Sequence, residues 1–197
     1  MFLIRNAILA MLFSVMFCAV GMAEQNMTTN PQTYEEAYNS VYGLIQENPE
    51  KALQAIKYIY KKKLPVKQSD VFYVNSIASM ALRPIFRENE IGKKLLEKVV
   101  AVKNNDFTSN RILMVFASMN NDFEGTRKYA LNLLNADYNS YIQEMAPAVN
   151  SSLPEIRNYL DGIITTYQMT AKFFLDNGDQ INSQKAINII NDIDTRK

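Results

Sequence analysis

Residues 33–59 read TYEEAYNSVYGLIQENPEKALQAIKYI, and this stretch decides the fold. Thr33 and Glu36 stand at capping-box spacing, so each side chain can accept an N–H that the first helical turn leaves without a partner. Behind them Tyr34, Ala37, Tyr38, Val41, Tyr42 and Ile45 recur at helical intervals. Asn48-Pro49 then interrupts the pattern. Proline suits a helix's first turn because its missing N–H would have no partner there anyway. Ala52, Ala55, Ile56 and Ile59 form the next stripe. Two amphipathic helices joined by a short polar turn bury their stripes against each other, which predicts an antiparallel hairpin.

The same grammar runs through the chain. Leu64-Pro65 closes the second helix, and Ser69 or Asp70 caps a third carrying Val71, Val74, Ile77, Ala78 and Ala81. Pro84 ends or kinks it. A fourth helix starts near Glu90 with Ile91, Leu95, Val99 and Val102. Asn104-Asn105-Asp106 and Asn120-Asn121-Asp122 are turns around a fifth helix with Ile112, Val115, Phe116 and Met119. The sixth carries Phe123, Tyr129, Ala130, Leu133 and Leu134. A short helix at Tyr141 to Met145 leads to a loop at Pro147 to Ser151. Ser152-Leu-Pro-Glu155 is a second capping box and opens the longest helix, through Leu160, Ile163, Tyr167, Ala171 and Phe174. Asn177-Gly178-Asp179 stops it, and a last helix holds Ala186, Ile189, Ile190 and Ile193. No segment shows the period-two alternation of strands. The expected class is all-α, built of packed antiparallel hairpins.

The chain begins with a different signal. Arg5 is its only charge before Glu24, residues from Ala7 to Val20 are apolar apart from Ser14, and Gly21 and Ala23 give a small-x-small end. This predicts a secretory signal peptide over residues 1–23, cleaved after Ala23, with Gly21 as the alternative. An uncleaved anchor is the rival, since the apolar run falls just short of the roughly 20 residues that span a bilayer. Cys18 follows Phe17, whereas lipoprotein processing prefers a small residue there. Residues 24–32 read as a polar, disordered leader and 33–197 as the folded domain. An Asn- and Lys-rich composition behind a simple signal points to a bacterial periplasmic or secreted protein.

Composition removes much chemistry. The chain has no histidine and a single cysteine, Cys18, inside the expected signal. Histidine general bases, Ser-His-Asp schemes, thiol catalysis and zinc–thiolate sites are therefore excluded. The six glycines are scattered and build no phosphate loop. The acidic pair Glu35–Glu36 falls in a helix's first turn, where acids favour the helix dipole. Asp176-Asn-Gly-Asp179 is too short for a calcium loop. No catalytic residue, metal ligand or cofactor is expected.

Two features point to a binding role. Tyr34, Tyr38 and Tyr42 lie one turn apart on the first helix, and tyrosine gives a large contact area at small entropy cost. The bland alternative is that they half-bury against the next helix. Charge is also segregated. Lys57 to Arg111 holds twelve basic and five acidic residues, against one and five over residues 24–56 and seven and ten over 112–197. Lys61-Lys62-Lys63 is the densest point of the basic middle. It either steers an acidic partner or simply favours a helix C-terminus. With an overall net charge of +1, nucleic acid is a poor fit.

Three segments share the turn-and-helix pattern: Asn48-Pro-Glu-Lys-Ala52, Asn121-Asp-Phe-Glu-Gly125-Thr126, and Asn177-Gly-Asp179 running on to Lys185-Ala186. The chain thereby resembles the tetratricopeptide-repeat superfamily, whose units are helix pairs of about 34 residues. In that family a small residue in the second helix lets the pair approach closely. Ala52 matches that place, with Ile56 and Ile59 following, and Ala171, Phe174 and Gly178 match the end of a first helix and its turn. Thr126 departs from the usual alanine, and the family's tryptophan is absent. The interval from Ala52 to Thr126 is 74 residues and that from Thr126 to Ala186 is 60, not multiples of one unit. A solenoid of degenerate repeats and an irregular helical bundle both stay open. The resemblance implies a protein–protein interaction module, an adaptor or assembly factor of the bacterial envelope. A helical binder of an apolar ligand or lipid, and a carboxylate-based hydrolase, are the alternatives.

Overall fold

A computed structural model describes residues 28–145 and 153–195. The expected signal peptide with its cleavage sites, the 147–151 loop and the capping Ser152 lie outside the described residues. Among the described residues the chain is all-α, with helices α1 (Tyr34–Leu44), α2 (Pro49–Lys61), α3 (Val71–Ala81), α4 (Asn89–Val102), α5 (Phe107–Met119), α6 (Phe123–Leu133), α7 (Tyr138–Met145), α8 (Leu153–Asp176) and α9 (Gln180–Asp194). They fall into two compact units, divided between Asn104 and Asn105.

In the first unit, α1 packs on α2, α3 on α4, and α1 also on α3. Thr33 caps α1 as expected, its hydroxyl accepting from Glu36 N at 3.1 Å. The Glu36 carboxylate reaches one residue further back than a standard box, to Gln32 N at 2.7 Å. Residues 28–32 lie along α1, where Thr28 N donates to Ser40 Oγ at 3.1 Å. Asn48 caps α2 through Lys51 N. Asp70 precedes α3 without capping it. Its carboxylate instead turns back to Lys67 N at 2.9 Å and closes a 3-10 turn, Gln68–Asp70. The core holds Ala37, Val41, Ala55, Ile56, Ile59, Val74, Ile77, Leu95 and Val99.

In the second unit, α5 packs on α6 and α8 on α9, with α6 also touching α8 and α7 touching α5. Tyr167 sits at its centre, fully buried, and its hydroxyl donates to Leu133 O at 3.0 Å. The Phe107 ring lies 5.0 Å from Tyr141 and 6.1 Å from Tyr167.

One local device recurs in all four pairs. The residue four places after the N-cap of each second helix is small and buried: Ala52 after Asn48, Gly92 after Glu88, Thr126 after Asp122, and Ser183 after Asp179. At Gly92 a Cβ would stand 2.6 Å from Leu82 Cγ and Cδ2, so glycine lets α4 cross α3 closely. Two of the connecting turns are also alike. Asn121 and Gly178 adopt positive φ, 56° and 75°. The following aspartate then sends its N–H back to the preceding helix, Asp122 N to Ala117 O at 2.9 Å and Asp179 N to Phe174 O at 2.8 Å. Each aspartate caps the next helix through Gly125 N or Asn182 N. A left-handed residue that ends one helix and an aspartate that starts the next thus make a short reversal.

Candidate functional site

Successive tyrosines of α1 do not share one fate. Tyr34 is buried, 3% exposed, and its hydroxyl donates to Leu64 O at 2.9 Å. Burial, and then Asp70, push its pKa up. Tyr34 therefore fixes the turn after α2 and lies away from any docking face. Tyr38 and Tyr42 are half-buried, their rings 4.5 Å apart.

Tyr38 also meets two residues that the sequence reading did not single out. Phe72 and Tyr73, half-buried in the first turn of α3, lie 5.4 Å and 5.6 Å from its ring. Their signal in the sequence is a pair of large aromatics off the Val71–Val74–Ile77–Ala81 stripe. Four rings thus form a strip across α1 and α3. Burial and the neighbouring Tyr73 push the Tyr38 pKa up. The Tyr73 pKa is raised first by burial and then by the nearby Glu35 carboxylate. At the other end Arg83, half-buried near Tyr42, has its pKa lowered by burial. The strip is therefore an uncharged aromatic surface with carboxylates at one end and a guanidinium at the other.

The lysine triplet does not form one face. Lys61 is exposed. Lys62 lies over the Tyr58 ring, 5.6 Å from its centre, and bonds the Gln32 side chain. Lys63 leaves the helix at φ 53°. Lys98 approaches the same turn, donating to Leu64 O at 3.2 Å, and burial and then Lys63 lower its pKa. These lysines close the end of α2, where cations favour the helix dipole.

Among the described residues, no group of three or more His, Cys, Asp or Glu could hold a metal ion. No helix among them is long and apolar enough to cross a membrane. The chain matches no family model, no curated protein and no solved structure.

Proposed function

We propose that this chain is an exported protein-interaction module of the bacterial envelope, an adaptor or assembly factor made of degenerate helical hairpins, and that its partner docks on Tyr38, Tyr42, Phe72 and Tyr73. The observation that carries this reading is the four-ring strip itself. Scattered half-exposed rings are ordinary, but a contiguous aromatic patch points to an interaction surface, and tyrosine is enriched at interface hot spots. The small buried residue in each second helix supports the repeat reading. Gly92 and Thr126 stand 34 residues apart, one repeat length of the tetratricopeptide family, and lie between intervals of 40 and 57 residues. Export rests on the N-terminal sequence, and sequencing the N-terminus of the protein recovered from its host tests it directly.

The docking reading is tested by placing a photo-crosslinking residue at Tyr38 or, as control, at Gln54, which is exposed on α2. The expected result is one reproducible protein adduct from the Tyr38 position, absent from the Gln54 position and lost on Tyr73→Ala. Equal labelling from both positions would remove the strip from consideration.

A further inference from the structure

We propose that the second unit binds the carboxylate group of a small organic acid, on Arg111 between Phe107 and Tyr141. The observation that leads there is a buried charge without a matching one. Arg111 is only 9% exposed, and its Nε has no hydrogen-bond partner among the described residues. The groups set against its guanidinium are two buried aromatic rings, Phe107 and Tyr141, each with its centre 5.9 Å away. Ring faces attract a cation, but ~6 Å is the limit of that attraction, and a ring face accepts little from donors that lie in the guanidinium plane. Arginine keeps its charge at any ordinary pH, so it cannot escape the cost of burial by losing a proton.

The helix adds to the demand. Arg111 is one turn into α5, and its side chain lies over Phe107, the first residue of that helix. It thus leans toward the N-terminus, as helical side chains do, where the partial positive charge of the helix disfavours a cation. Asp106 at the N-cap offsets part of this, but its Oδ2 accepts from Ser109 N at 2.8 Å. An anion seated on Arg111 gains from the guanidinium and from the helix end together.

The chemistry of the donor selects the anion. The two oxygens of a carboxylate match two parallel N–H bonds of the guanidinium fork, and one negative charge balances one positive charge. A phosphate dianion brings more charge and more acceptors than one arginine answers. A residue so deeply buried also leaves only a narrow approach, which suits a small molecule better than the face of a protein. The site belongs to the second unit and does not rest on the docking reading.

The test uses the full chain, isotope-labelled for nuclear magnetic resonance of the arginine Nε–H groups. Acetate is expected to shift one of these signals saturably, the signal that is missing from Arg111→Met. Chloride at the same ionic strength should leave it in place, and inorganic phosphate should bind more weakly than acetate. Arg111→Lys keeps a charge without the fork and should weaken acetate about tenfold, read as the concentration that raises Tm. Lys128→Met, at an exposed position of α6, should respond to acetate like the parent. In acetate-free buffer Arg111→Met should hold or raise Tm, because it removes a buried charge that has no ligand to balance it. A signal that acetate does not move, an equal response to chloride, or tighter binding of phosphate than of acetate would each overturn the proposal. So would a lower Tm for Arg111→Met in acetate-free buffer, which would make Arg111 a strut between the two rings.

Discussion

Gly92 is where helix crossing can be measured most directly. A methyl group added there meets Leu82 Cγ and Cδ2 at 2.6 Å and Ala78 O at 3.1 Å. Carbon atoms settle at about 3.5–4.0 Å, so the two groups must part by about 1 Å. Leu82 is only 6% exposed and has little room to move. Overpacking of this kind costs about 1–3 kcal/mol, while alanine recovers about 1 kcal/mol of helix propensity over glycine. Gly92→Ala is therefore expected to destabilise by about 1 kcal/mol, or about 2–4 °C in Tm for a chain of this size. Leu82→Ala alone leaves a cavity and should cost about 2–5 kcal/mol. The double variant sets one defect against the other, because the new methyl occupies part of the space the leucine vacates. Urea denaturation of all four proteins, followed by far-UV circular dichroism, gives the cycle, and a favourable coupling of about 1 kcal/mol is expected. Additivity within about 0.5 kcal/mol, or a Gly92→Ala protein more stable than the parent, would refute the close crossing of α3 and α4.

The turns make a paired prediction. Asn121 holds positive φ, so Asn121→Gly should raise stability slightly and Asn121→Ala should lower it by about 1 kcal/mol, both read by thermal melts. Gly178→Ala should lower it for the same reason. Tyr167→Phe removes a buried hydrogen bond to Leu133 O and should cost about 1 kcal/mol in urea titrations. Leu133 O also accepts from Ala136 N, so it is not left bare and a larger loss is not expected. The Asp179 carboxyl is held below its ordinary pKa, first by hydrogen bonds from Asn182 and with help from Arg127 and Lys185. A depressed acid stabilises the folded state above its unfolded pKa, about 4, and that contribution is lost as pH falls through the lower folded value. Asp179→Asn should therefore flatten the acid limb of the stability curve, and an unchanged limb would remove Asp179 from that role.

The helix pairs were legible because their signals are local. The cap at Thr33 and the turn residues Asn48, Asp122 and Asp179, which the structure shows to cap the helices that follow, each act within one turn, and a polar turn plus a 3.6-residue stripe is enough to read a hairpin. What escaped was anything that depends on which helix lies opposite. Gly92 reads in sequence as a neutral interruption, and only the presence of Leu82 across from it gives glycine a purpose. The residues proposed for docking show the same limit. Tyr34, Tyr38 and Tyr42 look equivalent at four-residue spacing, but four residues advance a helix by about 400°, so each tyrosine is rotated about 40° from the last. Over two steps that drift carries the row from the core, where Tyr34 bonds Leu64 O, to the half-open surface at Tyr42. The lysine triplet fails as a face more simply. Neighbouring helical residues point about 100° apart, and the chain has left the helix by Lys63. A stripe of identical side chains therefore continues as one surface only where the neighbouring helix matches its drift. Here α3 supplies that match, because Phe72 and Tyr73 stand where the tyrosine row turns outward.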